Sequence, residues 1–227
     1  PANEHLCMQI ASQIFGISTA NNGLCFFGNG NPAYLAKRFD IDHNGKKIAM
    51  EDLAGLAGLT KKNGGSDYKY CNLSYEECGN IIRKHTDSET EILKFFRLVI
   101  YNYLISNDDA HLKNFSLITN QNGKSVLSPA YDLVNTFLHL GQPRIFALDK
   151  GLFKEGKPGN TITQVSKEDF EEFGRRLQIN AKTIQQELST FANTTDNVKD
   201  LIERSFLSKD LKITFWKTFC YRQGRIR

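Results

Sequence analysis

Residues 88–105 read SETEILKFFRLVIYNYLI, and this run constrains the fold more than any other. Phe95, Phe96, Leu98, Val99, Ile100, Tyr103 and Leu104 cover so much of a helical surface that the helix must lie inside a core. Such a helix needs partners on every side. With 227 residues, 40% of them hydrophobic, the chain can supply those partners as one large domain or as two small lobes. The next segment, SNDDAHLKNFSLI at 106–118, crowds two carboxylates, a histidine, a lysine and an asparagine into a short loop ahead of an apolar strand. A firmly held helix thus delivers ionisable groups to the mouth of a buried strand, which is where a charged ligand is expected.

The other elements are expected around that helix. Residues 3–14 carry Leu6, Ile10 and Ile14 near the helical period and predict an amphipathic helix with Asn3 as its cap. LCFFGNGNPAYLAKRF predicts a hairpin turning at 28–32. Its GNGN has the look of a phosphate loop, but a phosphate cradle leads into a helix and this one leads into a strand, so a plain turn is expected. AMEDLAGLAGL predicts a short helix, and TKKNGGSDYKY a polar, Gly-rich loop between lobes. Beyond it, helices are expected over 74–84, 88–105, 166–177, 181–191 and 197–221, the last broken near Ser208, with SKED at 166–169 in the form of a helix start. NFSLI and KSVLSPAY, joined by NQNGK, predict a second hairpin. The expected class is α+β, with a small α/β part over 1–60, a mainly helical part over 61–227, and a ligand cleft between them.

Composition removes several function classes. No window approaches the roughly 18 apolar residues of a membrane span, and no basic region followed by an apolar run opens the chain, so a soluble cytoplasmic protein without a membrane partner is expected. Five cysteines with no CxxC pair, and no histidine at zinc-ligand spacing, argue against a disulfide framework and a structural metal site. A net charge of +4 is mild, and the basic tail CYRQGRIR reads as a solvated end, not a nucleic-acid contact.

Asp109 and Asn114 lie five residues apart, and Asp132, in PAYDLV, follows after the predicted hairpin. Phosphoryl transfer from ATP requires such a set: a carboxylate to orient the attacking hydroxyl, plus an amide oxygen and a second carboxylate to hold magnesium on the phosphates. Lys113 is placed to offset charge on the transferred group, and His111 to hold the loop by hydrogen bonding. Asp108 competes with Asp109 as the base; the five-residue spacing favours Asp109. The structural alternative makes Asp108 and Asp109 turn caps, Lys113 a surface charge and Asp132 the start of a helix through DLVNTF.

NDDAHLKNFSLI together with LSPAYDLVNT closely resembles the HipA family of bacterial toxin kinases. The family's Asp-x-His-x-Lys-Asn-Phe segment falls on Asp109, His111, Lys113, Asn114 and Phe115, and its Pro-x-Tyr-Asp magnesium segment on Pro129, Tyr131 and Asp132. KRFD looks like the family's hinge, which puts Lys37, Arg38 and Phe39 against adenine and Asp40 near the ribose, with Lys37 making a backbone contact. PANEHLCMQIA, MEDLAGLAGL and Lys69-Tyr70 fit stretches on either side of that hinge, so the likeness covers about residues 1–150. It implies a two-lobed protein-kinase-like fold and an ATP- and Mg2+-dependent serine/threonine kinase acting on a protein. In the family that protein is an aminoacyl-tRNA synthetase, whose inactivation stops translation. The implied partners are an antitoxin with a helix-turn-helix, through which alone DNA would be contacted, and an additional small subunit. The family's Gly-rich phosphate loop and ATP-gripping lysine would precede Pro1, with Glu4 the candidate to pair with that lysine and Ser66 a stand-in for the family's autophosphorylated serine. Two alternatives stay open: a binding module that has lost turnover, and a small-molecule or lipid kinase of the phosphatidylinositol-kinase type, which shares an Asp-x-His-x-x-Asn loop.

Overall fold

The computed structural model describes residues 1–141, 144–156 and 165–227. Helix α1 (Ala2–Gln13) leads to an antiparallel ribbon of β1 (Asn22–Phe26) and β2 (Pro32–Ala36), with Leu24 opposite Tyr34. The turn between them closes with Phe27 N–H donating to Asn31 O at 2.9 Å, and GNGN is indeed a turn. Strand β3 (Met50–Asp52) runs directly into α2 (Leu53–Leu56), followed by α3 (Lys61–Gly64), α4 (Tyr75–Thr86) and α5 (Glu89–Leu104). Strands β4 (Ser116–Thr119) and β5 (Ser125–Leu127) form the second hairpin. Helices α6 (Phe137–Leu140), α7 (Lys167–Arg176), α8 (Ala181–Asn193), α9 (Thr195–Arg204) and α10 (Lys209–Gly224) complete the described chain. None of the described helices is long and apolar enough to cross a membrane.

Two local expectations are corrected. Asn3 does not cap α1: the helix begins at Ala2 with Pro1 in the cap position. The Asn3 side chain is buried and spoken for, donating Nδ2 to Asn135 O at 2.9 Å and accepting from Asn135 N–H at 3.1 Å. The second hairpin also gains a partner, because Met50–Asp52 pairs antiparallel with β4 and gives a sheet of order β3-β4-β5. Three residues are too few for the alternation that marks a strand, and the helix signal of LAGL absorbed them.

Helix α5 is the spine. It packs against α4, α8, α10 and β5, and its rings meet Phe115 (from Phe95, 5.3 Å between centroids), Phe173 (from Phe96, 5.8 Å) and Phe170 (from Tyr103, 5.2 Å). Glu91, only 4% exposed, accepts from Leu127 N–H at 2.8 Å and from Lys94 Nζ at 2.7 Å, which ties the spine to β5. Helix α4 starts at a reciprocal cap: Ser74 Oγ accepts from Glu77 N–H at 3.2 Å, and Glu77 Oε2 accepts from Ser74 N–H at 2.9 Å. The expected long C-terminal helix is broken as anticipated, at 205–208, where Ser205 turns extended and Ser208 caps α10. A parallel bridge joins Thr19 to Ala130: Ala20 N–H donates to Ala130 O at 2.9 Å, and Ala130 N–H to Ser18 O at 2.8 Å.

Candidate functional site

The loop after α5 is set by two backbone reversals. Ser106 and Asp132 both hold positive φ, 59° and 56°, a conformation that costs an L side chain roughly 1–3 kcal/mol and persists only where the surroundings over-determine it. The surroundings do so here. Thr136 donates its N–H (3.2 Å) and its hydroxyl (2.8 Å) to Ser106 O. Asn107 Nδ2 donates to Asn102 Oδ1 at 2.7 Å and to Asp132 O at 3.4 Å, while its Oδ1 accepts from Asp109 N–H at 3.2 Å. The two polar segments are therefore laced together before any ligand is considered.

Their functional groups meet. A single 3-10 turn, Leu112–Asn114, brings Asn114 back so that its Oδ1 accepts from His111 N–H at 3.1 Å and its Nδ2 donates to Asp132 Oδ2 at 2.6 Å. Asp109 Oδ1 accepts the Tyr70 hydroxyl at 2.6 Å. Asp132 starts no helix, since the stretch leading to α6 is irregular and α6 opens only at Phe137, so that alternative for DLVNTF falls. Asp132 is exposed, whereas Asn114 and His111 are buried beneath it.

Lys113 does not face Asp109. Its Nζ donates to Asp52 Oδ2 at 2.8 Å, and that bond holds the ammonium pKa above its ordinary value. Asp52 also caps α2 by accepting from Gly55 N–H at 2.9 Å. The cation beside the loop is instead Lys69, whose Nζ donates to His111 Nε2 at 2.8 Å and lies 4.8 Å from the Tyr70 ring centroid. Burial, reinforced by the Lys69 charge, lowers the His111 pKa, with Asp109 and Asp132 pulling the other way. The imidazole is thus a neutral acceptor at neutral pH, and its Nδ1 has no partner among the described residues. Beyond the fit of Lys69-Tyr70 to the family pattern, the sequence carries no signal of a role for either residue.

On the opposite side, Glu4 is half-buried, and burial, then the Asp132 charge, raises its pKa. Burial also raises the Tyr34 hydroxyl, with Glu4 and Asp132 adding to it, so β2 contributes a side chain that the motifs did not signal. Tyr131 donates its hydroxyl to Lys113 O at 2.7 Å and shares a hydrogen bond with Ser116 Oγ at 2.7 Å; burial pushes its pKa up to about 12. Its ring lies 5.5 Å from that of Phe39, joining the KRFD segment to the Asp132 segment. Lys37 is exposed, and Arg38 and Asp40 pair with each other. Asp108 turns away from Asn114: its Oδ2 accepts from Arg144 N–H at 3.4 Å and its own N–H donates to Thr136 Oγ1 at 3.0 Å. Ser66 is exposed, and its hydroxyl donates to Asp67 Oδ2 at 3.3 Å. A cavity of about 490 Å3 opens in front of Asp109, with Asp67, Tyr70, Asp108, Arg144 and Asp149 on its walls.

The donor set decides which ion would fit. Among the described residues no group of three His, Cys, Asp or Glu side chains could enclose a metal. Asn114 Oδ1, with a second lone pair free, and the exposed Asp132 carboxylate offer hard oxygens from one side only. That suits an ion such as Mg2+, which takes one or two protein oxygens and completes its shell with phosphates and water.

The fold is an α+β protein-kinase-like fold. The structure superposes on the HipA chain of the Shewanella oneidensis HipA, HipB and operator DNA complex with a TM-score of 0.73 at 17% identity, covering 98% of this chain and 55% of that one. It also matches the Helicobacter pylori proinflammatory kinase CtkA, with a TM-score of 0.64 at 15% identity over 99% of this chain and 79% of that one. The chain belongs to the HipA-like C-terminal domain family, whose model matches residues 1–199. A Haemophilus influenzae protein named "Putative kinase" is 32% identical over 90% of this chain and 64% of its own length. A Sinorhizobium fredii protein of similar designation is 29% identical over 67% of this chain and 34% of its own. The chain therefore spans between a third and two thirds of the length of these relatives.

Proposed function

We propose that the protein is an ATP- and Mg2+-dependent serine/threonine protein kinase, with Asp109 as the base and Asn114 and Asp132 as the metal-holding pair. The Asn114–Asp132 contact at 2.6 Å carries this reading, because it brings a loop and a segment beyond a hairpin onto one point while Asp109 stays on the same loop. Bound Mg-ATP would supply the phosphoryl group and the charge that draws it to an acceptor. Asp109, oriented by Tyr70 and by the Asn107 amide group, would align the acceptor hydroxyl and take its proton. His111 holds the turn through its backbone and Lys69. Phe39 and Tyr131 form the wall on which a base would rest, with Lys37, Arg38 and Asp40 at its rim and Glu4 awaiting a cation near the phosphates. Lys113 secures α2 and does not serve the transferred group directly. Residues 1–60 and 61–227 would form the two walls of the cleft.

Membership of the HipA-like family, and a fold shared with a HipA solved together with HipB and operator DNA, are what support an antitoxin partner that contacts DNA; the helix-turn-helix of that partner, an aminoacyl-tRNA synthetase target and a cytoplasmic toxin role are proposed from the motif resemblance. The decisive test is purified protein with labelled ATP against a bacterial lysate, lipids and aminoglycosides in parallel. Label in protein, lowered at least about a hundredfold in Asp109→Asn with Mg-ATP affinity kept within a few fold, is expected. Asp132→Ala should lose both. Label in lipid or sugar would replace the acceptor class, and an unaltered Asp109→Asn rate would remove the base assignment.

A further inference from the structure

Residues 68–70 lie along the turn that carries Asp109 in reverse order, with Tyr68 beside Lys113, Lys69 beside His111 and Tyr70 on Asp109. Tyr70 donates its hydroxyl to Asp109 Oδ1 at 2.6 Å, Lys69 O accepts from Leu112 N–H at 3.1 Å, and Lys69 Nζ donates to His111 Nε2 at 2.8 Å. The backbone of Lys69 is thus fixed on the turn while its ammonium rests on a neutral ring. His111 in turn donates its N–H to Asn114 Oδ1 at 3.1 Å, and the charges of Asp109 and Asp132 both act on its imidazole. The ammonium consequently stands beside the base and the metal-holding pair. No carboxylate neutralises it among the described residues, whereas Lys113 pairs with Asp52 at 2.8 Å and Arg144 with Asp149 at 3.7 Å. The imidazole takes one of its three N–H groups, which leaves two for other acceptors.

Asp109, Asp132 and a nucleotide's phosphates are all anionic, so the transferred group needs a fixed cation beside it. The motif gave that part to Lys113, which the structure turns away to Asp52. We propose that Lys69 fills it as a catalytic residue, its ammonium donating to a non-bridging oxygen of the transferred phosphoryl group. This role rests on the kinase reading above. The flexible four-carbon stem lets Nζ swing from His111 while the bond from Leu112 N–H keeps the backbone in place. A neutral imidazole holds the ammonium less strongly than a carboxylate would, so the charge is free to pass to the phosphoryl oxygen. Lys69 keeps its proton throughout. As the acceptor oxygen bonds to phosphorus and the bond to the ADP oxygen breaks, the acceptor's proton passes to Asp109.

The probe is Mg-ADP with aluminium fluoride, which mimics the planar phosphoryl group in transfer, compared by calorimetry with Mg-ADP alone on the purified protein. The parent should bind the mimic more tightly. Lys69→Met should shrink that advantage at least about tenfold, with Mg-ADP affinity kept within about twofold. Lys69→Arg, which keeps the charge, should retain most of the advantage, and Lys113→Met should retain all of it. Transfer from labelled ATP should fall in Lys69→Met by a comparable factor. An undiminished advantage in Lys69→Met would overturn the role, and so would a loss matched by Mg-ADP itself, which would show that Lys69 only holds the turn. A parent with neither the advantage nor any label transfer would bring down the kinase reading, and this role with it.

Discussion

Lys69 donates to a histidine that is already short of a partner, and the two residues together set how the loop responds to acid. Burial and the neighbouring ammonium keep the folded His111 pKa below the unfolded value of about 6.5, so the unfolded chain binds the proton more readily. The stability of this arrangement is complete above that unfolded value and declines as pH falls towards the folded pKa. Thermal melts should therefore lose less between about pH 7 and 5 in His111→Gln than in the parent; equal losses would clear the histidine of this role. Lys69→Met should raise the His111 pKa in an imidazole NMR titration, and an unmoved resonance would break the pairing. The meeting of Asn114 with Asp132 was legible in the order of the two motifs, whose residue types suit oxygen ligation; the roles proposed for them and for Asp109 rest on that chemistry. Lys69 and Tyr70 were not, since nothing local tells a Gly-rich loop to fold back on a turn some forty residues later. Lys113 illustrates the converse: its place in the motif was readable, but its direction was fixed by Asp52, in a strand too short to leave a signal.

At the level of elements, the packing around α5 makes two sharp demands. Glu91 is buried because it ends β5's need for an acceptor, so Glu91→Ala should cost about 1–3 kcal/mol in denaturant unfolding by orphaning the Leu127 amide, and Glu91→Gln should cost less. Gly174 in α7 faces α8 and α5 so closely that an added Cβ would lie 2.7 Å from Ile184 Cγ1 and 3.2 Å from Phe96 Cε2. Gly174→Ala should accordingly destabilise by about 1–3 kcal/mol, despite alanine's higher helix propensity; a gain in stability would mean that the two side chains move aside freely. Helices α4, α5, α7 and α8 were readable to within a few residues, because each combines an apolar face with a start signal. The β3 strand escaped notice because pairing, not composition, defines it.

For the molecule as a whole, the proposed cleft makes stability depend on ligand. Mg-ATP at a hundred times its Kd should add about 2.7 kcal/mol to unfolding, read as a rise in Tm that Asp132→Ala abolishes; a rise that survives the substitution would place the nucleotide elsewhere. The small part of the fold is not simply appended to the large one. Helix α1 packs on both the β1–β2 ribbon and α9, and Asn3 is clamped to Asn135 on the far side of the chain. Residues 18–20 are stitched to Ala130 by two backbone hydrogen bonds. Any displacement of the backbone at residues 18–20 would be carried through these bonds to Ala130, two residues ahead of the left-handed turn at Asp132.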